Sequence, residues 1–181
     1  MKTERGLSLI EMMVTVAILS ILTTIGAPSI SNIISKNHIA ADINNLSSAA
    51  RVARFTAIDE AVTVTLCPTE DYTSCTNNWR HAKMVFIDGD VNGARDNNEQ
   101  LVLSSDPVSS NNTISGIEQA LIFRPDGSVN NGGAITICPS SGEKKLASAL
   151  IVSLYGRVKV ATDSNNDDIK EDATGTSLSC S

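Results

Sequence analysis

Basic side chains are in short supply: Lys and Arg number 14 against 20 Asp and Glu, a formal charge of -6. That balance excludes a protein coated all over in positive charge for nucleic acid, leaving room only for a local basic strip. Histidine occurs only at His38 and His81, and the four cysteines form no CxxC pair, so no zinc-ligand spacing exists. GxSxG, HExxH, P-loop and GxGxxG spacings are all missing, and nothing joins either histidine to a nucleophile. No enzyme is expected, and both histidines read as surface residues. Internal repeats of useful length are also lacking. What the chain has is 181 residues with 41% apolar content, enough for one domain with a sizeable core. Its mean hydropathy of +0.02 averages a dense apolar block, Leu7 to Ala27, with a remainder rich in Asn, Asp, Ser and Thr.

That block contains one ionisable residue, Glu11, and follows Lys2 and Arg5. About 20 apolar residues at a rise of ~1.5 Å span a bilayer core of roughly 30 Å. The basic residues before it stay cytoplasmic by the positive-inside rule, which sends everything after Pro28 to the other side. In bacteria that side is oxidising, in keeping with an even number of cysteines. An ordinary secretory signal would be cut after Ile25-Gly26-Ala27, but the outer Ile is bulky and Pro28 follows the cut. A plain membrane anchor would leave Glu11 without a reason, because a carboxylate inside a spanning segment is costly and asks for a partner.

The run Gly6-Leu7-Ser8-Leu9-Ile10-Glu11 resembles the class III signal of type IV pilins and type II secretion pseudopilins. The resemblance implies that a prepilin peptidase cuts after Gly6 and methylates the new amino terminus at Leu7, where the family more often has Phe. It also implies that Glu11, the fifth mature residue, pairs with the cationic terminus of a neighbouring subunit during assembly. Pro28 falls where pilins often carry a proline and is expected to kink or locally melt the helix. The implied organisation is a leader over 1–6, a transmembrane and assembly helix over 7–28, an amphipathic second half over 29–60 and a β-rich periplasmic head over 61–181.

Beyond Pro28, Ile39, Ile43, Leu46, Ala50, Ala53 and Ala57 recur at helical spacing and make one apolar face, read as a stripe packed on a sheet. Strands are predicted over Val62 to Cys67, Met84 to Ile87, Leu101 to Leu103, Ala120 to Phe123, Ala134 to Cys138, Ala149 to Leu154 and Arg157 to Ala161. Turn signals at Arg124-Pro125-Asp126-Gly127, Asn131-Gly132-Gly133 and Tyr155-Gly156 separate several of them. A helix followed by antiparallel strands is α+β. Ala49-Ala50-Arg51, the run Val62 to Cys67, Cys75, Trp79, Val85-Phe86-Ile87-Asp88, Phe123, Gly127, Ile137-Cys138 and Gly156-Arg157 are similar to the GspH/FimT group of minor pilins and pseudopilins. The implied fold is pilin-like, a long N-terminal helix packed on an antiparallel sheet. Where this chain has His81 or Ala82 the group usually has Gly.

Cys67 and Cys75 belong to one loop, while Cys138, at a strand end, and Cys180, at the terminus, are natural mates for pinning the tail. Four cysteines allow three pairings, and Cys67 with Cys75 and Cys138 with Cys180 is the expected one. Asp88, Asp90, Asn92, Asp96 and Glu99 fit the spacing of a calcium loop, where alternating oxygens and a distal carboxylate surround a hard cation. Against it, Arg95 stands where that loop has an apolar residue, and the flanks look like strands; an Asx/Gly turn explains the same residues. Asp163-Ser-Asn165-Asn-Asp167-Asp168 is a weaker echo, read as a solvated loop. Arg157 and Lys159 project from one strand face, and Lys144 and Lys145 in the preceding turn are expected to approach them, giving four cations for salt-dependent phosphate contacts. Some members of the group carry a Gly-Arg-x-Arg motif implicated in DNA binding, which Gly156-Arg157-Val158-Lys159 resembles.

The expected function is that of a minor pilin of the inner membrane that assembles with other pilins into a type IV pilus. The alternatives are a pseudopilin of a secretion machine and a DNA-binding pilin serving uptake. No cofactor is expected beyond the calcium just weighed.

Overall fold

The computed structural model describes residues 8–180, with side chains omitted over 25–29. One helix, α1 (Leu9–Asp59), is followed by eight strands: β1 (Val64–Thr69), β2 (Ala82–Ile87), β3 (Leu101–Ser105), β4 (Asn112–Gly116), β5 (Leu121–Phe123), β6 (Gly133–Pro139), β7 (Ser148–Val152) and β8 (Val158–Val160). Of the two effects expected at Pro28, melting does not occur: α1 is continuous through it. Proline withholds a single N–H, and the turns on either side keep theirs.

The strands form two antiparallel sheets rather than one, in orders β3-β2-β1-β5 and β4-β6-β7-β8. The stripe Ile39, Ile43, Leu46, Ala50, Ala53 and Ala57 is buried along its whole length, with Ala49 beside it, and packs on both sheets. Four alanines in a row of turns let the backbone approach the strands closely, with Val64, Leu66, Phe123, Ile135 and Leu150 filling the space opposite. The outer faces are partly covered as well. Cys67, Met84 and Phe86 form a small cluster outside the first sheet, and Cys138, Ala147, Ala149, Ala161 and Leu178 form another outside the second.

Strand ends differ from expectation by one or two residues in several places, and β1 and β4 show why. β1 begins at Val64 instead of Val62, because the chain needs a turn to leave the helix: Ala61 takes φ 53° and the Val62 N–H still bonds Ala57 O. β4 was not expected at all. Its sequence, Asn-Thr-Ile-Ser-Gly, has one large apolar residue, and as an edge strand paired only with β6 it needs little more.

Candidate functional site

From Leu9 to Thr24 every side chain of α1 is exposed, with large apolar groups 51–78% accessible between Leu9 and Leu22. A helix apolar on all sides is not stable as a free surface and requires lipid or other helices around it. Its polar residues are already adapted to such surroundings. Thr15, Ser20, Thr23 and Thr24 each donate their hydroxyl to a carbonyl three or four residues back, at 2.7–3.0 Å, so none needs water. Glu11 is the one charge in this run and has no ion-pair partner among the described residues.

Gly6 and Leu7 lie outside the described residues. Among the described residues no helix is long and apolar enough to cross a membrane. The expected span over 7–28 lies partly outside the described residues.

The four cations expected on one edge are not together. Arg157 and Lys159 do line one groove, of about 240 Å³, with Ile151 and Ser153. Lys144 and Lys145 sit in a 3-10 turn before β7, whereas Arg157 lies past its far end, where Val152 pairs with Val158. The length of β7, roughly 13 Å, separates the pairs, and Lys145 is bonded to Asp168 at 3.1 Å. The sequence places the turn next to the strand but says nothing of which strand end each cation meets. Glu171 and Asp172 also line the Arg157 groove. Hydrogen bonds from the Thr174 side chain and the Thr174 and Thr176 backbone hold the Asp172 carboxyl below its usual range, fixing a negative charge there.

On its other side Arg157 borders a hollow shared with Arg51, Arg54 and Phe55. Arg54 escaped the sequence reading; its spacing of three from Arg51, which puts both on one flank of α1, was the available signal.

Asp88, Asp90 and Glu99 place carboxylate oxygens within 4.8 Å of one another, and Asp96 stays outside that group. The loop's own donors occupy these oxygens. Thr65 Oγ1 and Asn92 N bond Asp88, Gly89 N and Asp96 N bond Glu99, and Asn92 bonds Asp90 through both its nitrogens. Disulfides join Cys67 to Cys75 and Cys138 to Cys180.

Residues 42–156 match the family described as type II transport protein GspH, and residues 1–27 match the prokaryotic N-terminal methylation motif. The fold is similar to that of the type IV minor pilin FimU of Pseudomonas aeruginosa, at 16% identity over 70% of this chain and 90% of that one, with a TM-score of 0.55. It is also similar to the minor pseudopilin EpsH of the Vibrio cholerae type 2 secretion system, at 11% identity over 68% of this chain and 95% of that one, with a TM-score of 0.50. No curated protein matches.

Proposed function

The chain belongs to the GspH family and carries the N-terminal methylation motif, and from that premise we propose that it is a minor pilin of a type IV pilus. It is a structural subunit of the pilin and pseudopilin kind, not an enzyme. One observation carries the reading: α1 is apolar and exposed on every side over Leu9 to Leu22, then buried against the head from Ile39 onward. A prepilin peptidase removes residues 1–6 after Gly6 and methylates Leu7. The helix over 7–28 waits in the inner membrane with the head on the periplasmic side, and then exchanges lipid for the helices of neighbouring pilins. Glu11 sets the register of that exchange, since a carboxylate in an apolar bundle is stable only beside a cation such as the neighbour's amino terminus.

Mass spectrometry of pili sheared from cells tests the assignment. The subunit should co-purify with the filament, beginning at Leu7. A subunit absent from pili and recovered instead with a type II secretion complex would make it a pseudopilin and overturn the pilus assignment.

A further inference from the structure

Beyond β8 the chain leaves the second sheet in a loop and returns where Glu171 N donates to Thr162 O at 3.2 Å. Within this loop a carboxylate oxygen from each of Asp163, Asp167 and Glu171 lies within 4.8 Å of the other two. Acidic groups crowd together on many surfaces, where water and salt screen them, and crowding alone says little. Glu171 is different because it is buried, 4% exposed. Its Oε2 accepts from Ser164 N and Ser164 Oγ, both at 2.8 Å, while Oε1 is sealed from solvent and receives no hydrogen bond. A bare oxygen on a buried carboxylate is strongly unfavourable unless a positive charge meets it. The described residues bring none within ion-pair distance. Lys145 pairs with Asp168, outside the trio, and Arg157 and Lys159, which line the same groove as Glu171, form no ion pair with it.

We infer that Asp163, Asp167 and Glu171 bind a calcium ion, with Glu171 Oε1 as the buried ligand. The donors are all hard oxygens, which select a hard cation over a transition metal. Loop flexibility favours calcium, which accepts about six to eight oxygens in adaptable geometry, whereas magnesium demands a near-ideal octahedron and gives up its water reluctantly. Asp163 holds the loop in shape by accepting from Asn166 N and Asp168 N, at 2.7 and 2.9 Å, and each of its oxygens keeps a lone pair for the ion. The contrast with Asp88, Asp90 and Glu99 lies in the buried member: protein donors meet both oxygens of those three, and of Asp163 and Asp167, but only one oxygen of Glu171. A cation at Glu171 ties the tail to the second sheet upstream of the Cys138–Cys180 bond.

Full-length protein in detergent, stripped with EDTA, is titrated with CaCl2 and separately with MgCl2 by calorimetry, and its melting temperature is followed in parallel. One calcium per chain should bind with Kd on the order of 10⁻⁴ to 10⁻³ M or tighter, with magnesium weaker, and saturating calcium should raise Tm. Glu171→Gln should abolish binding. Asp167→Asn, an exposed substitution that leaves the core untouched, should weaken it about tenfold or more even if the Glu171 variant fails to fold. Asp88→Asn should leave it unchanged. Absence of both heat and a Tm rise up to about 10 mM CaCl2, binding unaltered by Asp167→Asn, or binding lost in Asp88→Asn would each overturn the inference.

Discussion

The carbonyl oxygen of Gly127 stands where a β-carbon on Gly156 would have to be placed, and Gly156 has φ +69°. Arg54 crosses the same point, donating from Nε to Gly127 O at 3.1 Å and from Nη2 to Tyr155 O at 3.3 Å. Helix α1, the turn after β5 and the turn between β7 and β8 are thereby locked together, which fixes the direction in which Arg157 leaves the sheet. Gly156→Ala should cost about 2 kcal/mol or more, from left-handed strain and the clash together. Arg54→Ala should cost about 1 kcal/mol through two lost hydrogen bonds. Denaturant melts of the full-length protein in detergent measure both, and a Gly156→Ala variant as stable as the parent would contradict the geometry.

Processing should depend on Gly6. Replacing it with a bulky residue should leave a precursor longer by residues 1–6 in the membrane, visible as a mass difference. Cell-associated protein beginning at Pro28 or beyond would refute the proposed cleavage.

Glu11→Ala should remove the subunit from sheared filaments while leaving the Tm of the head unchanged, because Glu11 lies far along α1 from the buried stripe that begins at Ile39. A fall in both would mean that Glu11 serves folding instead of assembly.

Loss of the Cys138–Cys180 bond, which closes 42 residues, should cost on the order of 2 to 5 kcal/mol, and more than loss of Cys67–Cys75, which closes 8. Limited proteolysis of the Cys138→Ser, Cys180→Ser double variant should release the tail around Glu171. Non-reduced peptide mapping that joined Cys67 to Cys180 would contradict the pairing.

Lys83 is 3% exposed on β2, and burial pushes its ammonium down to about 8 from 10.5, the nearby Asp42 carboxylate opposing the shift. Below pH 8 folded and unfolded chains both carry this proton, and the burial penalty is present in full. Between pH 8 and 10.5 the folded chain releases the proton first, so this group makes stability rise with pH, by up to about 3 kcal/mol. Lys83→Met should therefore raise Tm at pH 7 and flatten the rise above pH 8. A parent protein whose Tm falls steadily from pH 8 to 10, with an unchanged slope in the variant, would remove Lys83 as the cause.

Much of the molecule is legible in local pattern. Helical spacing from Ile39 to Ala57 picks out the buried face, since a residue's position around a helix depends only on the helix's own period. Seven of the strands carry enough β-branched or alternating residues to be read directly, whereas β4, polar and half exposed, gains its identity only by pairing with β6. The leader run Gly6 to Glu11 likewise stands in one continuous stretch.

The sequence by itself determined the apolar helix, its single carboxylate, the packed stripe and the α+β order, because each is written in neighbouring residues. Only the tertiary structure decided that Lys144 and Lys145 lie at the far end of β7 from Arg157, and that Glu171 is buried with an oxygen bare while Asp88 is buried with both oxygens met. The physical reason is that the environment of a charge is set by whichever distant segments cover it. Two Asp- and Asn-rich loops therefore differ in a way that no local pattern records.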